Sequence, residues 1–240
     1  MDRARFRTDQ ALTGPMVSRR IGLLGGSFNP AHGGHRRITL FSIEALGLDE
    51  VWWLVSPGNP LKQKAGMAPM AARLRSAEEM ARRAPIVPTA IEKQLQTRYT
   101  VETLKKLKNR YKTRQFVWLM GSDNLAQFHQ WKDWRDIARA VPIAVIARPG
   151  YNADAMTSPA MAWLRRYQVS AASFRKKRKM ETPALVFMRF DPDARSATAI
   201  RRENSDWALQ YQGAAPRDRL TFRKLSGSDD PLGKTEGESA

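Results

Sequence analysis

Short runs of consecutive apolar residues alternate along most of this 240-residue chain with longer stretches in which apolar positions recur at helical spacing. The first pattern predicts strands buried on both faces, and the second predicts helices with one apolar stripe. Arg20 to Leu24 (RIGLL), Val51 to Val55 (VWWLV), a short run near Ile86 to Thr89, Phe116 to Met120 (FVWLM), Pro142 to Ala147 (PIAVIA) and Leu185 to Met188 (LVFM) read as strands. Helices are expected at about 34–46, 71–83 and 101–111, the last with Leu104 and Leu107 on one face, and another opens at GSDNL after the fourth strand. Gly47 suits the stop of the first helix, and Pro149-Gly150 marks a turn after the fifth strand. Strands that alternate with helices in this way predict an α/β domain with a parallel sheet covered on both faces.

With 42% hydrophobic residues, the chain is long enough for one substantial core. Residues 1–18 are polar and basic without periodicity, and 214–240 have the composition of a disordered tail, which leaves 19–213 as the expected folded body. No apolar run is long enough to span a bilayer, and the start, MDRARFRTDQ, lacks the apolar middle of a secretory signal, so a cytoplasmic location is expected. The absence of cysteine excludes disulfides, thiol catalysis and cysteine-ligated metals. A formal charge of +18 favours polyanionic partners: nucleotides, nucleic acid or an anionic membrane surface. The local basic clusters, Arg3, Arg5, Arg7, Arg19 and Arg20, and the run Arg175 to Lys179 (RKKRK), read first as solvated surface.

Chemistry concentrates in GGSFNPAHGGH, Gly25 to His35, directly after the first predicted strand. Gly25 and Gly26 permit a tight turn and close backbone approach, and the chain then enters a helix whose free N–H groups can receive phosphate. His32 and His35, three residues apart, aim at a common space. Pro30 fixes φ, while Gly33 and Gly34 keep side chains away from the approach. The segment lacks the lysine of a Walker A loop and the G-x-G-x-x-G spacing of a dinucleotide fold, which argues against a P-loop ATPase and a standard dehydrogenase.

The string resembles the nucleotidyltransferase superfamily defined by a His-x-Gly-His motif, here His32-Gly33-Gly34-His35, and more particularly the bacterial nicotinate-nucleotide adenylyltransferase family. That resemblance implies a Rossmann-like sheet and transfer of the adenylyl group of ATP to nicotinate mononucleotide, with release of pyrophosphate. It implies catalytic roles for His32 and His35, and ATP binding by Gly25, Gly26, Ser27, Phe28 and His35. SATAIRR (Ser196 to Arg202) resembles the family's Ile-Ser-Ser-Thr-x-Ile-Arg signature, which adds Ser196, Thr198 and Arg201 as a second phosphate clamp, with Ala197 in place of one serine. GSDNLAQFHQWKDW and RYTVETLKKL resemble acceptor-binding segments, implying roles for Asp123, Trp131, Lys132 and Thr100, with Trp131 stacked on the pyridine ring. Trp134 is expected to be structural. Arg148 (ARPGY) and Lys62 (NPLK, where Leu61 replaces the family's histidine) match basic positions. Mg²⁺ is expected to arrive with ATP, since no carboxylate cluster forms a dedicated metal cage.

Two rivals follow from the same residues. Another acceptor, nicotinamide mononucleotide or phosphopantetheine, would keep the chemistry and change the specificity. A basic nucleic-acid-binding protein on the same fold would use the charge and RKKRK, but no nucleic-acid module with interleaved aromatics is present, so no specific nucleic acid is expected.

Overall fold

The computed structural model describes residues 18–58, 66–147, 152–190, 197–213 and 216–225. Seven strands form one sheet: β1 (Arg20–Gly26), β2 (Glu50–Val55), β3 (Ile86–Thr89), β4 (Gln115–Gly121), β5 (Ile143–Ala147), β6 (Gln168–Val169) and β7 (Leu185–Arg189). Their order is β3-β2-β1-β4-β5-β7-β6, and every pairing is parallel. The helices are α1 (Gly33–Leu46), α2 (Met70–Met80), α3 (Ile91–Leu95), α4 (Thr100–Arg110), α5 (Ser122–Gln127), α6 (Trp134–Ala140), α7 (Asn152–Thr157), α8 (Pro159–Leu164), α9 (Ala171–Lys176) and α10 (Ala197–Glu203). The expected α/β architecture is therefore what forms. Among the described residues no helix is long and apolar enough to cross a membrane.

Alternate residues of each central strand face opposite sides, and each side is apolar because each is roofed by helices. Leu23, Trp52, Leu54, Trp118, Met120 and Val145 join one core cluster with side chains of α3 to α8. Leu24, Trp53, Val55, Val117, Leu119 and Ile146 join another, beneath α1, α2 and α9. Two core layers enclosing one sheet explain why these strands read as unbroken apolar runs. Gly47 ends α1 as expected, at φ 63° in the left-handed region.

The folded body extends past the boundary expected at Gly213. Residues 216–225 make a compact turn closed by the Arg217–Lys224 bridge, with Leu220 and Leu225 buried. The fully buried Asp218 fastens this turn to the end of β3, its carboxylate accepting from the Thr89 hydroxyl (2.9 Å) and from the backbone N–H groups of Ala90 (2.7 Å), Leu220 (2.9 Å) and Thr221 (3.0 Å). A segment whose polar composition reads as tail is thus part of the domain, because one carboxylate gathers four donors. The segments 1–17 and 226–240 lie outside the described residues.

Candidate active site at the switch point of the sheet

Strand order reverses between β1 and β4, so the loops leaving their carboxyl ends diverge to opposite faces and leave a crevice where open α/β sheets bind ligands. The loop after β1 is GGSFNPAHGGH, and the one after β4 begins Gly121-Ser122-Asp123. Sequence motifs 86 residues apart, counted from His35 to Gly121, therefore flank one opening.

The glycine pair works differently from the expected tight turn. Gly25 and Gly26 are the last residues of β1, paired with Leu54 and Val55 of β2. A Cβ on Gly25 would lie 3.1 Å from the Trp118 ring, and one on Gly26 would lie 3.2 Å from the Phe28 ring. The glycines are needed so that two aromatic rings can pack against the strand end. The turn falls at Phe28, which takes a positive φ of 47°. Its ring is buried and stacks on Trp53 with centroids 5.0 Å apart, so Phe28 can meet a ligand only through its backbone. Ser27, by contrast, is exposed.

His32 is the N-cap of α1, and its Nδ1 accepts from the Gly34 N–H at 3.1 Å. His35 reaches back, its Nδ1 accepting from the His32 N–H at 3.2 Å. The two rings lie 3.9 Å apart between centroids, as the spacing predicts, and His35 also rests against Phe28 at 4.8 Å. A ring nitrogen that accepts a hydrogen bond carries no proton, so each neutral imidazole holds its proton on Nε2. The capping arrangement thereby fixes both histidines as Nε2–H donors beside the N-terminus of a fourteen-residue helix, where further N–H groups and the positive end of the helix dipole favour an anion.

Arg201, far along the chain on α10, donates to the Asn29 carbonyl at 2.6 Å and to the Thr198 hydroxyl at 3.3 Å. The second phosphate motif is thus tied directly to the first. Asn29 is buried and its amide is spent on structure, donating to Gly66 O at 3.0 Å and accepting from Ala68 N–H at 3.1 Å. Sequence reading overlooked Arg73. Its buried guanidinium donates to the carbonyls of Ala68 (2.8 Å), Ser27 (2.8 Å) and Ser56 (2.7 Å), joining the loops after β1 and β2 to the entry of α2. The available signal was an arginine four residues before the buried Ala77, on the stripe of α2 that faces the sheet.

Of the residues expected to hold an acceptor, Trp131 and Lys132 sit among ring and charge contacts. Trp118, against Gly25, meets Trp131 edge-on at 6.1 Å, and Trp131 also meets Phe128 at 5.4 Å. Next to it, Lys132 pairs with Glu102 of α4 at 2.9 Å and lies 4.5 Å from the centre of the Tyr99 ring, at the turn that carries Thr100. Glu102 is correspondingly held below the usual carboxylate range by its bond to Lys132. Asp123, in the first turn of α5, has one carboxylate oxygen, Oδ1, shut off from solvent without a protein hydrogen bond. Trp134 packs between Phe128 (5.8 Å) and Trp163 (5.4 Å), the structural place expected of it. Lys62, Arg148 and Ser196 lie outside the described residues. Among the described residues no three of His, Asp or Glu gather as a metal-binding group.

Comparison with known proteins adds the following. Residues 23–203 match the cytidylyltransferase-like family. The chain is 65% identical over 212 residues, 88% of its own length and 97% of the relative's, to the "Probable nicotinate-nucleotide adenylyltransferase" of Erythrobacter litoralis. It is 51% identical over 191 residues, 80% of its own length and 94% of the relative's, to the protein of the same name in Parvibaculum lavamentivorans. A solved structure of Plasmodium falciparum nicotinic acid mononucleotide adenylyltransferase complexed with NaAD superposes with a TM-score of 0.58 at 15% identity, covering 80% of this chain and 94% of that one. At that identity the likeness shows a shared fold.

Proposed function

Because the chain belongs to the cytidylyltransferase-like family, and within it to the nicotinate-nucleotide adenylyltransferases, we propose that it transfers the adenylyl group of ATP to nicotinate mononucleotide, giving deamido-NAD and pyrophosphate. The observation that carries this reading is the pair of histidines whose Nδ1 atoms accept backbone N–H groups, so that the proton of each neutral ring sits on Nε2, beside a helix N-terminus in the switch-point crevice.

A phosphate oxygen of the mononucleotide attacks the α-phosphorus of ATP in line. A new P–O bond forms there as the bond to the bridging oxygen breaks, and that oxygen leaves with pyrophosphate. The nucleophile is already ionised at neutral pH, so the reaction needs alignment and charge stabilisation more than a base. The Nε2–H groups of His32 and His35 donate to phosphate oxygens as charge moves toward the leaving group, and Arg201 adds a fixed cation from the facing helix. Mg²⁺ held by the ATP phosphates would supply further neutralisation, since no group of three His, Asp or Glu among the described residues would hold it. The edge-on aromatic group around Trp131 supports a flat ring at the acceptor end. A cytoplasmic location completes the reading.

The test is stoichiometric. With ATP and nicotinate mononucleotide, the protein should release deamido-NAD and pyrophosphate in equal amounts; release of AMP or ADP in place of the dinucleotide would overturn the assignment.

A further inference from the structure

The +18 charge is not needed by a site that binds two small nucleotides, and the structure shows where part of it collects. In an all-parallel sheet every strand begins at the same edge, opposite the one that carries the switch-point crevice. At seven residues each, β1 and β4 put the two edges about 20 Å apart. Three segments are stitched together at the strand-start edge. Ser18 donates to Thr113 O, Gln115 N–H donates to Arg19 O, and the Gln115 amide donates to Arg178 O and accepts from Met180 N–H. Arg20 donates to Arg175 O at 3.0 Å, and Arg175 donates to Glu44 O at 3.0 Å, in the last turn of α1. The run RKKRK is therefore held in a defined place beside Arg19 and Arg20.

The bonds that hold Arg20 and Arg175 end on carbonyls, so their positive charge is not cancelled by them. Carboxylates on this face are fewer, and three of them are engaged: Glu50 by Arg19 at 3.2 Å, Glu181 by Lys177 at 2.7 Å, and Asp49 by the Arg20 backbone N–H at 2.6 Å. Lys176, Arg178 and Lys179 are exposed and make no side-chain hydrogen bond among the described residues. None of the large apolar side chains exposed among the described residues, Leu40, Met156, Leu209 and Phe222, belongs to these segments. An interfacial membrane site needs apolar groups to insert, and single-stranded nucleic acid needs aromatic faces to stack on. A cluster of cations on an anchored segment, with neither among the described residues, suits the phosphates of a duplex, which require only charge.

We propose that the strand-start edge, centred on Lys176, Arg178 and Lys179, binds the phosphate backbone of a nucleic-acid duplex without reading its sequence, independently of adenylyl transfer at the opposite edge. Full-length protein is titrated into fluorescent RNA and DNA duplexes of about 20 base pairs, the tighter binding telling which duplex the edge takes, and anisotropy is followed at about 50 and 200 mM salt. Contact with about four phosphates weakens binding about 100-fold across that range. The triple variant K176E/R178E/K179E should bind at least about tenfold more weakly, with a salt slope smaller by about 2 to 3, while pyrophosphate release stays at the unsubstituted level and shows that the fold is intact. Duplex binding unaltered in the variant would overturn the proposal, as would displacement of the duplex by saturating ATP, which would place it at the catalytic edge. Capture of phosphatidylserine vesicles, without binding of the duplex at the same salt, would also overturn it.

Discussion

Replacing Arg73 by methionine keeps most of the side-chain volume and its apolar stem but deletes the guanidinium that donates to Ala68, Ser27 and Ser56 carbonyls. Bonds from a charged donor contribute about 1.5–3 kcal/mol each. Three of them sum to about 5–9 kcal/mol at face value. The loops bearing these carbonyls lie at the edge of the sheet, where water can take over part of the bonding, so the expected loss of unfolding free energy is about 3–4 kcal/mol. For a chain of this length that corresponds to a fall in Tm of roughly 6–16 °C. Because Ser27 leads into the histidine loop, ATP affinity should fall about tenfold, equivalent to about 1.4 kcal/mol. Urea unfolding followed by tryptophan fluorescence gives the first number, and ATP titration well below Tm gives the second. Arg73→Lys, which keeps the charge but not the fork of donors, should recover part of both losses. A destabilisation under about 1 kcal/mol with unchanged ATP affinity would refute the idea that this cation holds the loops together.

His35→Ala should reduce kcat about 10²- to 10³-fold with ATP binding changed only a few-fold, measured by single-turnover kinetics and titration; kcat within tenfold of the unsubstituted protein would contradict the donor role. Trp131→Ala should raise KM for the acceptor while leaving KM for ATP nearly unaltered, and an unchanged acceptor KM would remove Trp131 from the ring site. Burial pushes the Glu92 carboxyl up to about 7, against a smaller lowering by its bond from the Thr103 hydroxyl. An acid whose folded pKa is raised binds more protons folded than unfolded between about pH 4.5 and 7, so its contribution to stability declines as pH rises through that window, by up to about 3 kcal/mol. Glu92→Gln should flatten that decline in urea unfolding curves taken from pH 5 to 8; an identical slope in both proteins would exclude Glu92 as its source.

Legibility in the sequence followed burial. The central strands were readable because a sheet roofed on both sides demands unbroken apolar runs, and α1 was readable because its start and its glycine stop are both local features. The short helices α3 and α6 to α9, at five to seven residues, are too brief to show a period and are held by contacts made only after folding. Edge strand β6, two residues long, leaves no pattern at all. Asp218 was hidden in a polar stretch, since nothing local says that four donors will converge on it. In the site, the histidine pair was visible as spacing, whereas its tautomer required the two backbone donors to be seen. The glycine pair was recognised as necessary for the wrong reason: strand-end packing against Trp118 and Phe28 is a tertiary demand, and the turn residue proved to be Phe28.

The central claim concerns which phosphate receives the adenylyl group. Pyrophosphate release is to be measured side by side with ATP and nicotinate mononucleotide, nicotinamide mononucleotide or phosphopantetheine, comparing kcat/KM for each. The account predicts that the nicotinate form is preferred by at least about tenfold, a difference of about 1.4 kcal/mol in transition-state binding. Equal or greater kcat/KM with either of the other acceptors would contradict it.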